Sequence, residues 1–370
     1  MTDSPLLRPY EHDRLTLPNR VAMAPLTRGR ADDRTGVPSA LAAEYYRQRA
    51  GAGLIVTEGI WPNRMGKGGP GIPGLVTEEQ VAGWRAVTGD VHEAGGRIFA
   101  QLWHVGRMTH PANLDGDTPV APSAVAGEHV RIHTPRGSVP PVAPRALTAE
   151  EIAGTIADHV TAARNAVRAG FDGVEIHGAN GYLVQQFLAE NTNRRTDLYG
   201  GSRNGRLRFA AEVVEAVAEA VGAGRVGLRL SPDNPENEIA EEDPQGTYRA
   251  LVDALEPLGL AYLHVIERGA YPALADLRPR WSGPLIANFN GPEPTTRQAG
   301  EQVLRAGLAD IVSYGRLFIA NPDLPARFAA GAPLNTPVAE RFYGGGHRGY
   351  TDYPAMNPSP AGVESRVSAR

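Results

Sequence analysis

Short, nearly unbroken apolar runs recur along the chain, with longer amphipathic stretches between them. The runs are Val21–Pro25, Leu54–Glu58, Ile98–Trp103, Gly173–His177, Val226–Ser231, Tyr262–Ile266, Leu285–Asn288 and Asp310–Tyr314. Continuity without strict alternation predicts parallel strands covered on both faces. The stretches between them carry helix signals. Thr77 and Thr148 each stand three residues before an amide or acid, Gln80 and Glu151, and Thr295 with Gln298 repeats the spacing. A hydroxyl there accepts from an orphan backbone amide, and Gly95, Gly170 and Gly307 supply left-handed stops. Leu207, Ala210, Val214, Val217 and Val221 form a further stripe at helical spacing. Eight strands alternating with helices predict an α/β fold, a closed TIM (β/α)8 barrel, over the competing doubly wound open sheet.

Two segments depart from the repeat. Residues 2–19 precede the first strand and are expected to form a hairpin closing the barrel bottom. Residues 106–146 follow the third strand and are rich in Gly, Pro and His. A loop this long on the catalytic side of a barrel is expected to act as a lid. The whole reads as a single domain over residues 1–354, with a polar, Ser- and Pro-containing flexible tail at 355–370.

The 370 residues include 37 basic and 41 acidic side chains, a near-balance that argues against nucleic acid as a partner. The absence of cysteine excludes a disulfide framework, an iron–sulfur cluster and a thiol nucleophile, and fits a cytoplasmic location. Residues 1–19 have no apolar h-region, and no run approaches the roughly 18 apolar residues of a membrane span.

Three Gly-x-Gly-x-x-Gly strings occur, at Gly66–Gly71, Gly222–Gly227 and Gly344–Gly349. None follows a strand and opens a helix, so none reads as a dinucleotide fingerprint. His129 and His133 lack a third ligand, and no metal is expected. A Gly-x-Ser-x-Gly nucleophile elbow is absent.

The informative residues are polar ones at strand ends: Thr27, Gln101, His104, Glu175, His177, Arg229, His264, Asn288, Gly315 and Arg316. In a barrel these ends build the active site. Gly315 and Arg316 after the last strand, with Asn288 at the end of the seventh, point to a phosphate-bearing cofactor, because a small residue admits close backbone approach and a guanidinium offers a fork of donors. After the fourth strand come His177, Asn180 and Tyr182. An imidazole and an amide can both donate to one carbonyl oxygen, with a phenol beside them as proton donor. Singly, each has a plain structural reading; together they predict a catalytic site.

From Asn19 to about Pro354 the chain resembles the Old Yellow Enzyme family of flavin-dependent ene-reductases. The resemblance rests on ordered motifs: Asn19-Arg-Val-Ala-Met-Ala-Pro25-Leu-Thr27-Arg28, Glu44-Tyr-Tyr-Arg-Gln-Arg49, Gln101-Leu-Trp-His104, Gly106-Arg107, the His177 segment, Arg229-Leu-Ser-Pro232, Gly315-Arg316, Ile319-Ala-Asn-Pro-Asp323 and Phe342-Tyr-Gly-Gly-Gly346. It is similar above all to the bacterial branch that includes morphinone and pentaerythritol tetranitrate reductases. The resemblance implies one FMN held by Pro25, Thr27, Gly59, Gln101, Arg229, Gly315 and Arg316, with NADPH or NADH as reductant. It implies that His177 and Asn180 grip the substrate oxygen, that Tyr182 donates the proton, and that Trp103 and Tyr343 shape the pocket. Gly59 stands where relatives often carry Ala, which implies looser contact with the flavin. The implied reaction is ping-pong hydride transfer through flavin N5 to activated C=C bonds of α,β-unsaturated carbonyl or nitro compounds, by a monomer or homodimer. Nitrate-ester or nitroaromatic reduction on the same site is an alternative within the family. A flavin-free phosphate-binding lyase or isomerase, or a non-catalytic ligand-binding barrel, are the alternatives outside it; the sole lysine, Lys67, lies in a loop, which disfavours a Schiff-base aldolase.

Overall fold

A computed structural model describes residues 4–356 apart from 269, 290 and 292; beyond Met356 the expected tail lies outside the described residues. Eight parallel strands close into a barrel: β1 Val21–Met23, β2 Leu54–Ile60, β3 Ile98–Leu102, β4 Gly173–Gly178, β5 Val226–Leu230, β6 Tyr262–Glu267, β7 Leu285–Phe289 and β8 Ile311–Tyr314. Each strand pairs with its neighbour in sequence, and β8 closes onto β1 through Ser313 opposite Ala22. All eight expected strands are present, their ends displaced by no more than two residues.

The helices follow their caps. Thr77 and Thr148 both form complete capping boxes, for Glu78–Glu93 and Ala149–Arg168. The third expected cap is corrected by one residue: Thr296, not Thr295, accepts from Ala299 N at the start of Arg297–Arg305. Thr295 instead donates to the Phe289 carbonyl at 3.2 Å, tying the loop to the end of β7. The helix bearing the apolar stripe, Arg203–Val221, begins at Ser202, ahead of the first apolar position.

Inside the barrel the residues alternate in period two along each strand, and the layers differ in chemistry. At the bottom, Ala22, Leu54, Val56, Phe99, Tyr262, Ile286 and Ile311 form an apolar floor. The N-terminal hairpin, Tyr10–His12 paired with Leu15–Leu17, seals it with Tyr10, Leu15 and Leu17. Burying each of these leucines is worth roughly 1.5–3 kcal/mol. Above the floor the inward positions turn polar.

The segment 106–146 contains a short parallel pair, Val120–Ala121 with Arg145–Ala146, and an antiparallel hairpin, Ile132–Thr134 with Gly137–Val139. Ile132 buries against Trp61, Ile72, Trp103, Val105 and Met108, with Val130, Val139 and Tyr182 packed on the same cluster. The excursion thus folds over one side of the barrel mouth.

Candidate active site

The polar layer is one connected network. Glu175 on β4 accepts from Gln101 Nε2 (2.8 Å), Tyr262 Oη (3.1 Å) and His264 Nδ1 (2.8 Å). Ser313 Oγ donates to His264 Nε2 (2.8 Å) and accepts from Asn288 Nδ2 (2.9 Å), whose Oδ1 accepts from Arg229 Nη2 (2.9 Å). With His264 neutral, as its lowered pKa has it, one set of donor directions satisfies the chain, because a guanidinium cannot accept at one end and a carboxylate cannot donate at the other. It therefore runs Arg229 to Asn288 to Ser313 to His264 to Glu175, with His264 a neutral imidazole carrying its proton on Nδ1. β4 and β6 are not neighbours in the barrel, nor are β6 and β8, so these bonds cross the barrel interior. Burial pushes the Glu175 carboxyl up, but His264, Arg229 and Gln101 outweigh it and hold the group below the usual range. Burial, with the Arg229 charge, holds His264 below the usual imidazole range despite Glu175.

On this floor stands the segment 177–182. Asn180 adopts a left-handed φ of 56° and is followed by Gly181 at 73°, a reversal that turns the chain from β4 into the helix Leu183–Leu188. Trp103, His177 and Tyr182 form a triangle, with ring centroids 4.9 Å apart for Trp103–Tyr182, 5.2 Å for His177–Tyr182 and 6.4 Å for Trp103–His177. Desolvation, with Arg229 and His264 nearby, drives the His177 imidazole well below its ordinary pKa, so the ring is neutral and its Nδ1 is buried without a partner. Burial pushes the Tyr182 phenol up to about 12, opposed by the Asn237 amide. The phenol keeps its proton at neutral pH.

A cavity opens beside this triad, bounded by Pro25, Asn180, Arg229, Asn288, Gly315 and Arg316. Six of the residues singled out in the sequence thus meet around one space, with Gln101 joined to them through the hydrogen-bond chain that ends on Glu175. Arg229 Nε and Trp103 Nε1 are buried with no hydrogen-bond partner, and unsatisfied buried donors of this kind mark a site made for a ligand. Thr27 is half-buried just past Leu26 at the cavity wall. Gly59 belongs to a β-bulge in β2, where the register slips between Val56 and Gly59 opposite Phe99 and Gln101. Thr57 Oγ1 accepts from Gln101 N at 3.1 Å at that bulge. Tyr343 is 68% exposed on the loop that follows the helix Ala339–Arg341, near enough to Tyr182 to help raise its pKa. Arg316 donates to the Gly291 carbonyl at 2.5 Å.

Lys67 is buried and paired with Asp33 at 2.6 Å, which removes it from any Schiff-base role at the cavity. A roomier cleft of about 540 Å³ lies elsewhere, walled by the ion pairs Arg206–Glu190 and Arg203–Asp243. Those pairs already join its opposite charges, whereas at the barrel mouth the buried Arg229 Nε has no hydrogen-bond partner. Among the described residues no group of three or more His, Asp or Glu could hold a metal, and no helix is long and apolar enough to cross a membrane.

Sequence reasoning overlooked Ser313, Tyr262, Ser231, Asn234 and Asn237. Ser313 had a signal, as the one polar residue in Ile311–Tyr314. Asn234 and Asn237 had none, since a Pro- and Asn-rich loop reads as a turn.

Residues 5–335 match the NADH:flavin oxidoreductase / NADH oxidase family, and the chain belongs to it, in keeping with its resemblance to the Old Yellow Enzyme family. It is therefore an oxidoreductase of a flavin-using class. Among its relatives, a protein of Leishmania infantum named "Probable flavin mononucleotide-dependent alkene reductase" is 44% identical, over 95% of this chain and 97% of its own. Morphinone reductase in complex with tetrahydroNAD superposes with a TM-score of 0.91 at 45% identity, covering 96% of this chain and 99% of that one. The old yellow enzyme homologue from Zymomonas mobilis gives 0.90 at 40% identity, covering 94% and 99%.

Proposed function

We propose that the protein is an FMN-dependent ene-reductase that uses NADPH or NADH to reduce the activated C=C bond of α,β-unsaturated carbonyl or nitro compounds. The observation that carries this reading is the meeting of Asn180 with Arg229, Gly315 and Arg316 around one cavity, on the short segment whose His177 and Tyr182 rings pack 5.2 Å apart.

The residues suit FMN. Gly315 and Arg316 would take the phosphate, and Pro25, Thr27 and Gly59 would border the ring. Arg229 offers an unmatched buried Nε–H to a ring atom that gains negative charge. Gln101 has its Nε2 tied to Glu175, so its Oε1 is the end left for an imide N–H. Asn288 has both ends occupied, by Arg229 and Ser313; its part is to hold Arg229 in place rather than to touch the cofactor. When bound, FMN supplies the two-electron carrier between nicotinamide nucleotide and substrate.

The chain supplies the rest. His177 and Asn180 donate to the substrate oxygen and stabilise the charge that develops there as Cβ is reduced. Tyr182, kept protonated by burial, delivers the proton to Cα. Trp103 and the 106–146 excursion cover the mouth and limit water. Nucleotide and alkene occupy the same mouth in turn, giving ping-pong kinetics, and no separate dinucleotide domain is required.

Tyr182→Phe tests the assignment. Alkene reduction is expected to slow by about 100-fold or more, the usual worth of a positioned acid, while anaerobic flavin reduction by the nucleotide stays within about twofold. Wild-type alkene turnover in this variant, or a purified protein that cannot be loaded with FMN, sinks the reading.

A further inference from the structure

Asn180 can grip a substrate oxygen only through its nitrogen. A side-chain amide has two ends of nearly equal shape, and a half-turn exchanges the donor for the acceptor. Something must fix which end faces the site.

The loop after β5 does this. The backbone N–H of Glu236 donates to Asn234 Oδ1 at 3.2 Å, and Arg268 Nη1 approaches the same atom at 3.4 Å. Both are groups that donate and never accept, so the Asn234 atom between them is its oxygen and the opposite end is Nδ2. That Nδ2 meets the Asn180 amide at 3.0 Å, which makes the Asn180 atom its Oδ1. The oxygen of Asn180 is thereby committed to the loop, and its Nδ2 is the end left for the cavity it lines. Asn234 is 1% exposed, so water does not compete for the bond. The left-handed backbone of Asn180 is gripped from the same loop: its N–H donates to Ser231 Oγ (2.8 Å) and its carbonyl accepts from Asn237 Nδ2 (2.7 Å).

We propose that Asn234 is a positioning residue that fixes the polarity of Asn180, so that a donor rather than an acceptor meets the substrate oxygen. The proposal rests on the reading of Asn180 as a substrate-holding donor.

The test reverses the polarity of residue 234 at constant shape. In Asn234→Asp the carboxylate, still facing Glu236 N–H and Arg268, accepts from Asn180 Nδ2 and turns Asn180 Oδ1 toward the site. Asn234→Ala only frees the amide to rotate. The readouts, on the FMN-loaded full chain, are the dissociation constant of 4-hydroxybenzaldehyde followed in the flavin spectrum, the KM and kcat for 2-cyclohexenone, and the FMN content. The expected order is a tenfold or greater loss of aldehyde affinity for Asp and a smaller loss for Ala, with FMN content unchanged in both. A merely structural role gives the reverse order, because Ala leaves a hole and Asp does not. In the double variant with Asn180→Ala, Asn234→Asp is expected to add no further loss, since residue 234 acts only through residue 180. Wild-type affinity in Asn234→Asp, or additive losses in the double variant, overturns the proposal. If the Asp variant does not fold, wild-type affinity in Asn234→Ala overturns it. If Asn180→Ala itself binds the aldehyde normally, the reading of Asn180 fails first; if only Asn180→Ala is impaired, that reading stands and the role of Asn234 fails.

Discussion

Gly59 and Trp103 touch so closely that the indole six-membered ring fills the space a Cβ on Gly59 would need. The bulge in β2 brings the backbone up to the ring, and a residue without a side chain is required there. The room that an alanine methyl would take in a relative is occupied here by Trp103, whose other side meets Tyr182 edge-on at 4.9 Å.

Gly59→Ala is therefore expected to push the indole toward Tyr182 and to destabilise the protein by about 1–3 kcal/mol, the usual cost of overpacking. The KM for an enone reads the first effect and urea denaturation the second. An unchanged midpoint with an unchanged KM would show that the ring has somewhere to go.

Glu175 is the negative end of the chain that reaches Arg229. Glu175→Gln keeps the shape but removes the charge facing a buried cation, and breaking such a pair costs about 3–5 kcal/mol. The surroundings of bound FMN become more positive, so its midpoint potential is expected to rise. A tenfold shift in the reduced-to-oxidised ratio corresponds to about 30 mV for a two-electron couple. Spectroscopic redox titration checks the sign; a lowered potential would contradict the chain.

Glu238 links the loop after β5 to the excursion over the mouth, its carboxylate accepting from the backbone of Glu128 (2.7 Å) and His129 (2.5 Å). Arg107 fastens the same loop by donating to the Asn237 carbonyl at 2.9 Å. Glu238→Ala is expected to release residues 124–140, giving faster limited proteolysis there and a severalfold higher KM with little change in kcat. Equal cleavage rates in variant and wild type would mean that the packing of Ile132 holds the excursion by itself.

Four buried imidazoles, His104, His159, His177 and His264, are held below their ordinary pKa chiefly by desolvation, His104 down to about 3. Such a group binds a proton in the unfolded chain from about pH 6.5 downward and resists it when folded. Stability is thus full above about pH 6.5 and falls as the pH drops through that value toward the folded pKa. His104 alone removes about 2 kcal/mol between pH 7 and pH 5 on this basis. Denaturation midpoints at the two pH values measure it, and His104→Gln is expected to flatten the slope.

The strands, the capped helices and the hairpin that plugs the floor were legible in the residue order. They depend on local patterns: unbroken apolar runs, a hydroxyl three residues before an acid or amide, a glycine after the last turn. The miss at Thr295 shows the limit of such patterns. Two adjacent threonines can both cap, and the contact with Phe289 decides between them. The polar strand ends could likewise be marked as functional from their place in the repeat, and the triad of His177, Asn180 and Tyr182 lies within one short segment.

What the order of residues could not say is which of those polar groups meet a ligand and which meet each other. Gln101, Glu175, Arg229, His264, Asn288 and Ser313 sit on six different strands, and their hydrogen bonds cross the barrel interior. Closure of the sheet makes these contacts, so Asn288 emerges as a holder of Arg229. The polarity of Asn180 is decided the same way, by Asn234 more than fifty residues away. Periodicity records which way a side chain points; a hydrogen bond also needs the atom it meets, and closure of the barrel brings that atom into reach.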